Sequence, residues 1–246
     1  MLVLAAYRAA HGSGDASGIA AAVEIIHAYS LVHDDLPCMD DDDMRRGRPA
    51  THRAFSIPIA VATGAAMIPL AALVAFKSAA SLRLPETASG TIVKVLMQGA
   101  GAGGMIGGQL MDLEGEGTTL SRDELDAIHA AKTGALIAAS VKLGGVAAEV
   151  NDRGLDALDQ YGRSIGLAFQ IMDDVLDVTS STDKLGKIAG RDRELGKSTY
   201  PALLGVDGAV KRAASLVEEG CFALRREDLL TGELEDLAGF IVSRSH

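Results

Sequence analysis

Apolar residues recur at helical spacing along most of the chain, and Gly, Pro and Asn-Asp clusters interrupt them. We predict helices over residues 17–32, 57–82, 88–112, 122–148, 152–179, 207–224 and 232–243. Strand patterns, in which β-branched residues alternate between turn signals, are scarce. The segment Ser121-Arg-Asp-Glu124 has the form of a capping box and predicts the start of one helix. The pattern therefore predicts an all-α fold, and the length fits a single domain over residues 1–246.

One apolar segment is long enough to cross a bilayer. Residues 54–76 are 23 positions without a charge. Pro58 and Pro69 interrupt this segment, and alanine makes up much of it. We interpret it as a helix buried on all sides within a large bundle, and we expect no membrane span.

Composition and charge narrow the class of protein. Apolar residues make up 48% of the chain and aromatic residues only 4%, which is typical of a helical core built from small and medium side chains. The 23 basic and 33 acidic residues give a net charge of −10, which argues against a nucleic-acid partner. Two cysteines, Cys38 and Cys221, do not form a disulfide framework, so we expect a reducing, cytoplasmic location.

Two aspartate clusters carry the strongest chemical signal. The first contains Asp34, Asp35 and Asp40, and the second, 139 residues later, contains Asp173, Asp174 and Asp177. Clustered carboxylates repel one another, so a fold that gathers them must also gather cations. Mg²⁺ prefers oxygen ligands and usually shares its coordination shell with substrate phosphates. One cluster alone would be interpreted as a solvated acidic loop, but two clusters beside apolar helices predict a metal site that holds a diphosphate.

The spacing of the aspartates predicts how each cluster is built. Asp173 and Asp177 are four residues apart on a helix and share one face, whereas Asp174 is displaced by about 100° and would be an edge ligand or a supporting group. In the first cluster, Pro37 ends the helix, and the following loop can bring Asp40 back beside Asp34.

Basic residues accompany both clusters. Arg45 and Arg46 follow the first cluster, where they would either bind phosphate or neutralise the neighbouring carboxylates. Lys132 lies within an apolar helical segment, so we expect it to face a polar cavity. Lys187 and Lys197 lie in a glycine-rich segment that would be either a lid over phosphates or an ordinary surface loop.

Residues 99–104 formally match the dinucleotide-binding pattern Gly-x-Gly-x-x-Gly. That pattern requires a preceding strand and a βαβ unit, and the sequence predicts neither. These glycines are better explained as a close approach of two helices. Gln109 and Asp112, three positions apart, would either reach the metal cavity or cap a neighbouring helix.

Taken in order, these motifs resemble those of the trans-polyprenyl diphosphate synthases, of the bacterial farnesyl and geranylgeranyl type. The resemblance extends over nearly the whole chain. The matching segments are 34–40 with Arg45-Arg46-Gly47, Gly107-Gly108-Gln109-x-x-Asp112, Lys132-Thr133-Gly134, Phe169-Gln170-x-x-Asp173-Asp174-x-x-Asp177, Gly186-Lys187 and Lys197-x-Thr199-Tyr200-Pro201.

The resemblance implies a helical bundle around a deep central cavity, of the isoprenoid synthase type, usually as a homodimer. It implies a transferase that condenses isopentenyl diphosphate with an allylic diphosphate by Mg²⁺-dependent ionisation, condensation and elimination. The expected product is farnesyl diphosphate. The alternatives are a geranylgeranyl diphosphate synthase, an impaired partner subunit of an active synthase, a class I terpene cyclase and an acidic metal-buffering protein.

The resemblance also implies roles for individual residues. Three Mg²⁺ ions would bind through Asp34, Asp40 and Asp173, supported by Asp35, Asp174 and Asp177. The groups expected to bind the allylic diphosphate are Arg45, Lys132, Gln170, Lys187 and Lys197, of which Lys132, Lys187 and Gln170 would be catalytic. His27 and Arg46 would bind isopentenyl diphosphate.

Product length follows from the helix that carries Asp34. The growing chain would run along this helix away from the metals, so Tyr29 and Ser30, about one turn back, are candidates for the floor of the tunnel. A tyrosine would block the tunnel and favour the farnesyl product, although the same residue would also serve as ordinary core.

The sequence departs from the family at its start. Relatives carry a Gly-Lys-Arg-x-Arg-Pro motif just before the segment that corresponds to Leu2–Ala6, whereas this chain begins at Met1. We therefore expect an N-terminally truncated synthase with weak affinity for isopentenyl diphosphate.

Overall fold

The computed structural model describes residues 1–179 and 198–244, so the predicted phosphate-binding residues Lys187 and Lys197 lie outside the described residues. Within these ranges the chain is helical apart from one short hairpin, which confirms the predicted all-α class. The helices are α1 (Leu2–Ala9), α2 (Ser17–Asp34), α3 (Thr51–Ala54), α4 (Ile57–Ser81), α5 (Glu86–Ala100), α6 (Met105–Gly115), α7 (Arg122–His129), α8 (Ala135–Ala147), α9 (Asp152–Thr179), α10 (Tyr200–Arg226) and α11 (Gly232–Ser243). The hairpin pairs β1 (Met44–Arg45) with β2 (Arg48–Pro49).

Several helix ends lie where local sequence signals predict them. Helix α2 ends at Asp34, three residues before Pro37. Helix α7 begins with the predicted capping box: the Glu124 N–H donates to Ser121 Oγ (3.4 Å), and the Ser121 N–H donates to Glu124 Oε2 (2.8 Å). These bonds satisfy N–H groups that the first helical turn leaves without partners.

The predicted helix over 88–112 is wrong as a single helix, because it divides into α5 and α6. The break falls at the glycine run 101–104, where the Gly104 N–H donates to the Gly101 carbonyl (2.9 Å). A Cβ at Gly104 would lie 2.6 Å from the Gln98 carbonyl oxygen, so only glycine allows this turn. The run therefore permits a close turn between two helices, in place of a dinucleotide-binding loop.

Two other helices differ from their predicted form. The segment 122–148 is helical throughout, but residues Ala130–Gly134 form a π-helical turn between α7 and α8. Helix α10 begins seven residues earlier than predicted, at Tyr200, and is interrupted at Gly205, whose φ of 71° is not helical. This interruption lies two residues before the predicted start of the helix at residue 207.

Helix α9 is the central element of the core. It packs against α8 on one side and α10 on the other, and its Tyr161 is fully buried. The Tyr161 hydroxyl donates to the Leu234 carbonyl of α11 (2.6 Å). A second apolar cluster lies among α1, α2, α4, α5 and α8. The apolar cluster around α9 and this second cluster together fix the carboxyl-terminal half of α9 relative to α2. These are the two helices that carry the aspartates.

Helix α4 differs from the expectation of a fully buried helix. It packs against α2 through small residues, among them Ala60, Gly64, Ala71 and Ala75. Its opposite side, the α4 outer face, exposes Ile57, Ile59, Val61, Leu70, Leu73 and Phe76. By length and composition α4 could cross a membrane, and it is the one helix of the described ranges that could. The sequence prediction was wrong because an apolar run does not reveal how many sides of a helix have a neighbour.

The crossing of α1 over α8 depends on Gly144. A Cβ at this position would lie 2.7 Å from Ala6 Cβ and 2.8 Å from Tyr7 N. We expect Gly144→Ala to lower the free energy of unfolding by about 1–3 kcal/mol through overpacking, as measured by urea denaturation. Gly239→Ala is the matched control, because no atom lies within 4 Å of its new Cβ. The control should gain about 0.5–1 kcal/mol from helix propensity, and equal losses in both variants would contradict the packing argument.

Candidate active site

The first aspartate cluster is formed by the end of α2 and the loop that follows it. The Asp40 N–H donates to the Asp34 carbonyl (2.9 Å), and the Asp41 N–H donates to the Leu36 carbonyl (3.2 Å). The loop therefore turns back on itself and brings Asp40 beside Asp34, as the sequence predicts.

The Asp34 carboxyl is the most strongly perturbed acid of this loop. Burial raises its pKa from 3.8 to about 6, and the charges of Asp40 and Asp35 contribute to the rise. The charges of Lys132 and Arg45 act in the opposite direction. An additional cation would favour the ionised carboxylate, so the electrostatics of this loop suit a divalent ion.

Asp35 is buried and paired with Arg45. The Arg45 Nε donates to Asp35 Oδ1 (2.9 Å), and Arg45 Nη2 also donates to Asp42 (3.3 Å). Arg45 is held in place by the hairpin, whose two turn residues, Arg46 and Gly47, have φ values of 52° and 75°. Positive φ at both positions is the form that suits a two-residue hairpin. Arg45 therefore neutralises carboxylates in this state, and Arg46 is exposed at the hairpin tip.

His27 lies on α2 within the electrostatic influence of the same hairpin. Burial is the main cause that lowers the pKa of His27; Glu24 opposes this effect, and the charges of Arg46 and Arg45 add to it. Of the two residues predicted to bind isopentenyl diphosphate, Arg46 thus acts through its charge on the environment of His27.

The two candidates for product length differ in environment. Tyr29 is buried, and its ring meets the His33 ring edge-on with a centroid distance of 4.8 Å. His33 Nε2 in turn lies 3.2 Å from the Val61 carbonyl of α4. The hydroxyl of Ser30 donates to the His27 carbonyl of its own helix (2.9 Å). Tyr29 therefore contributes buried bulk beside His33, whereas Ser30 contributes little.

The second aspartate cluster occupies the carboxyl-terminal part of α9. The side chain of Asp173 is 39% exposed, whereas Asp174 and Asp177 are buried. Asp174 Oδ2 accepts the Tyr200 N–H (3.0 Å) and lies 3.2 Å from His129 Nε2. Asp174 therefore anchors α9 to α7 and α10, a placement that suits the supporting role predicted for it.

Lys132 lies between the two clusters. The π-helical turn places its Nζ 2.7 Å from Asp112 Oδ2 of α6, and the adjacent Thr133 donates to Gln170 Oε1 of α9 (2.8 Å). A cavity of about 90 Å³ is lined by Lys132, Gln170 and Asp174 among other residues. The Lys132 charge also lowers the pKa of Asp34 in the first cluster. Lys132 thus acts on the first cluster through its charge and shares a cavity with Asp174 of the second.

Gln109 of α6 is a buried amide with unused hydrogen-bonding capacity. Neither its Nε2 nor its Oε1 has a hydrogen-bond partner within residues 1–179 and 198–244. Such a group costs about 1–3 kcal/mol when unsatisfied. Together with the oxygen-rich donor set of the two clusters, this unsatisfied amide fits a site that gains polar partners when a ligand binds.

The second cluster contacts three residues that the sequence did not assign to the site. They come from His129, Tyr200 and Arg244. The Arg244 Nη2 donates to Asp173 Oδ1 (3.2 Å) and to the Phe169 carbonyl (2.8 Å), and the guanidinium lies 3.9 Å from the centre of the Phe169 ring. His129 and Tyr200 had a local signal, since His129 lies three residues before Lys132 and Tyr200 belongs to the matching segment Lys197-x-Thr199-Tyr200-Pro201, whereas Arg244 had none.

A larger groove of about 770 Å³ lies among α5, α8 and α9. Of the predicted site residues that fall within the described ranges, none lines it. Its walls are largely alanine and glycine, with Lys142, Asp159 and Arg163 joined in an ion-paired group among the lining residues. The aspartate clusters are therefore separate from this groove.

Comparison with known proteins gives a consistent result. The family model described as polyprenyl synthetase matches residues 1–221. The chain is 46% identical over 233 residues to farnesyl diphosphate synthase of Escherichia coli K12, covering 92% of this chain and 77% of that protein.

Solved structures agree with this similarity. Geranylgeranyl pyrophosphate synthetase from Pyrococcus horikoshii aligns with a TM-score of 0.82 and 32% identity, covering 99% of this chain and 84% of that one. A geranyltransferase from Helicobacter pylori, complexed with magnesium and isoprenyl diphosphate, aligns with a TM-score of 0.79 and 30% identity over 98% of this chain and 82% of that one.

The raised pKa of Asp34 predicts a pH dependence of stability. Between pH 3.8 and about 6 the folded chain holds a proton at Asp34 that the unfolded chain has lost, so this carboxyl lowers stability as pH rises through that range. We expect Asp34→Asn to become progressively more stable than the unsubstituted chain from pH 4 to pH 6, with a constant difference above. Urea unfolding in EDTA across this range measures the difference, and a difference that does not change with pH would contradict the assignment.

Proposed function

Because this chain belongs to the polyprenyl synthetase family, we propose that it condenses isopentenyl diphosphate with an allylic diphosphate and releases farnesyl diphosphate. The position of Lys132 carries this proposal, since its charge acts on Asp34 of the first cluster while its side chain lines a cavity with Asp174 of the second. A cation between two acidic walls suits a substrate that carries a diphosphate.

The reaction requires stabilisation of a departing diphosphate. The allylic C–O bond breaks, the diphosphate takes the electron pair, and a new bond forms between the allylic carbon and the terminal carbon of isopentenyl diphosphate. Loss of a proton to the released diphosphate completes the reaction. Lys132, Arg45 and Gln170 would bind the diphosphate oxygens. Because their positions are fixed, they would stabilise the negative charge that develops on the diphosphate during ionisation.

Magnesium fits the donor set of the two clusters. We propose three ions, held by Asp34, Asp40 and Asp173, with Asp35, Asp174 and Asp177 in support. When bound, these ions would neutralise the negative charge on the diphosphate. The bonds of Asp174 to Tyr200 N and toward His129 keep the second wall in position.

Isopentenyl diphosphate would bind at the His27 side of the hairpin. Arg46 is exposed at the hairpin tip, and its positive charge contributes to the lowered pKa of His27. This arrangement would orient the double bond toward the allylic carbon, which raises the rate by proximity.

Farnesyl diphosphate is proposed as the product because Tyr29 adds bulk beneath Asp34 on the same helix. A geranylgeranyl product is the alternative, supported by the similarity to the Pyrococcus horikoshii enzyme. The complete set of cluster aspartates argues against an impaired partner subunit, and Asp173-Asp174-x-x-Asp177 differs from the Asn/Ser/Glu metal triad usual in terpene cyclases.

The experiment supplies isopentenyl diphosphate, Mg²⁺ and, in turn, C5, C10 and C15 allylic diphosphates, with products identified by mass. We expect elongation of the C5 and C10 primers to the C15 product. Consumption of an allylic diphosphate without isopentenyl diphosphate, to give hydrocarbons, would identify a cyclase and contradict the proposal.

The Tyr29 argument predicts a change in product length. Tyr29→Ser removes the buried ring, so we expect the main product to lengthen from C15 to C20 in the same assay. Ser30→Ala is the matched control on the next residue, because it removes only a hydroxyl bonded to its own helix. Unchanged product length in both variants would show that the tunnel floor lies elsewhere.

We further propose a cytoplasmic homodimer that covers the α4 outer face. Contiguous exposed apolar side chains on one helix are typical of an interface, and burial against a second copy would remove them from water. This proposal also accounts for the length and apolarity of α4 without a membrane span.

Disruption of the α4 outer face should separate the two copies. We expect Phe76→Glu to convert a dimer to a monomer in analytical ultracentrifugation, because a charge would be buried at the interface. Phe240→Glu is the control, since Phe240 is similarly exposed but lies on α11. A monomeric unsubstituted chain that sediments with lipid vesicles through α4 would favour the membrane alternative.

A further inference from the structure

The four consecutive aspartates after Met39, residues 40–43, do not all contact the same arginine. Asp42 accepts from Arg45 on the side of Asp35. Asp41 and Asp43 instead meet Arg53, and their side chains are 58% and 66% exposed. The run therefore supplies two carboxylates that the Asp34–Asp35 arrangement does not use.

His52 of α3 lies behind these two carboxylates. Its residue surface is only 6% exposed, and neither ring nitrogen has a hydrogen-bond partner in the part of the chain that the structure describes. One ligand atom from each of Asp41, Asp43 and His52 lies within 4.8 Å of the other two. A buried imidazole without a partner is costly, so its position beside two carboxylates suggests a ligand that all three share.

We propose that Asp41, Asp43 and His52 form a Zn²⁺ site, separate from the Mg²⁺ sites proposed for the diphosphate. The donor set of one imidazole nitrogen and two carboxylate oxygens suits zinc, which accepts a water as fourth ligand. Magnesium prefers oxygen ligands throughout. Tetrahedral zinc holds its donors about 3.4 Å apart, given bonds of about 2.0–2.2 Å. The exposed aspartate side chains can rotate to close the remaining distance.

In the metal-free chain, the Arg53 guanidinium occupies the place beside the two carboxylates that the zinc ion would take. Its Nε donates to Asp43 Oδ1 (2.5 Å), and its Nη2 lies 3.9 Å from Asp41 Oδ1. The Arg53 side chain is itself 50% exposed, so these ion pairs contribute only about 0–1 kcal/mol. Zinc would displace the guanidinium into solvent at little cost.

The site would connect elements that surround the first aspartate cluster. The Asp43 carbonyl accepts the Ala50 N–H (2.9 Å) at the base of the hairpin, one residue before α3 begins. Asp41 directly follows Asp40. An ion bound to Asp41, Asp43 and His52 would therefore tie the loop and the hairpin to α3.

The test measures Zn²⁺ binding to the full chain by isothermal titration calorimetry, with Mg²⁺ in excess and no diphosphate. We expect one Zn²⁺ per chain. Asp41→Asn and Asp43→Asn should each weaken binding by at least about tenfold, because each removes a charged ligand. Arg53→Gln should tighten it by a few fold, because the competing cation is gone. Asp236→Asn, an exposed aspartate on α11, is the matched control and should leave binding unchanged.

Two results would overturn the proposal. The first is absence of zinc binding by the unsubstituted chain. The second is zinc binding that Asp41→Asn and Asp43→Asn retain in full but Asp34→Asn loses, which would assign the ion to the first cluster alone. His52→Asn should abolish the nitrogen coupling seen by electron paramagnetic resonance when Mn²⁺ replaces zinc. If that buried substitution prevents folding, as judged by circular dichroism, the two exposed aspartate variants decide the question.

Discussion

Repulsion between carboxylates in a partly dry environment is the constraint on which the rest of this structure depends. Most of the acids near the two clusters meet a basic group from another segment, and these contacts are the interactions that allow the helices to converge. The pairs are Asp35 with Arg45, Asp43 with Arg53, Asp112 with Lys132 and Asp173 with Arg244. At Asp34 the compensation is incomplete, and its pKa rises to about 6. The protein thus holds its acids together with its own cations and leaves capacity for more.

Features that depend on a few neighbouring residues could be predicted from the sequence. The end of α2 before Pro37 and the capping box at Ser121 follow from the fixed φ of proline and from local hydrogen bonds. The predicted start of α9 at Asp152 agrees with the structure. The return of Asp40 to Asp34 was also predictable, since a loop of this length after a helix end can close locally.

Features that depend on distant partners could not be predicted. Arg244 lies 71 positions after Asp173, and nothing near either residue indicates their contact. The exposed side of α4 could not be predicted, because hydropathy measures how apolar a helix is and does not indicate which elements pack against it. His52 gave no signal either, since a histidine at the second residue of a short helix becomes notable only when it is buried without a hydrogen-bond partner among the described residues. The roles of the site residues in substrate binding stay predictions.

The π-helical turn at Ala130–Gly134 makes the length of this segment as important as its composition. A π turn contains one residue more than an α turn, so deletion of one residue from it would restore regular helix and leave the flanking helices in phase. Such a chain would keep almost all its amino acids and still change the direction in which the side chains of the turn, Lys132 among them, leave the helix. Insertions and deletions here should therefore be far less tolerated than substitutions, and an alignment gap placed within these five residues marks a change in the geometry of the site.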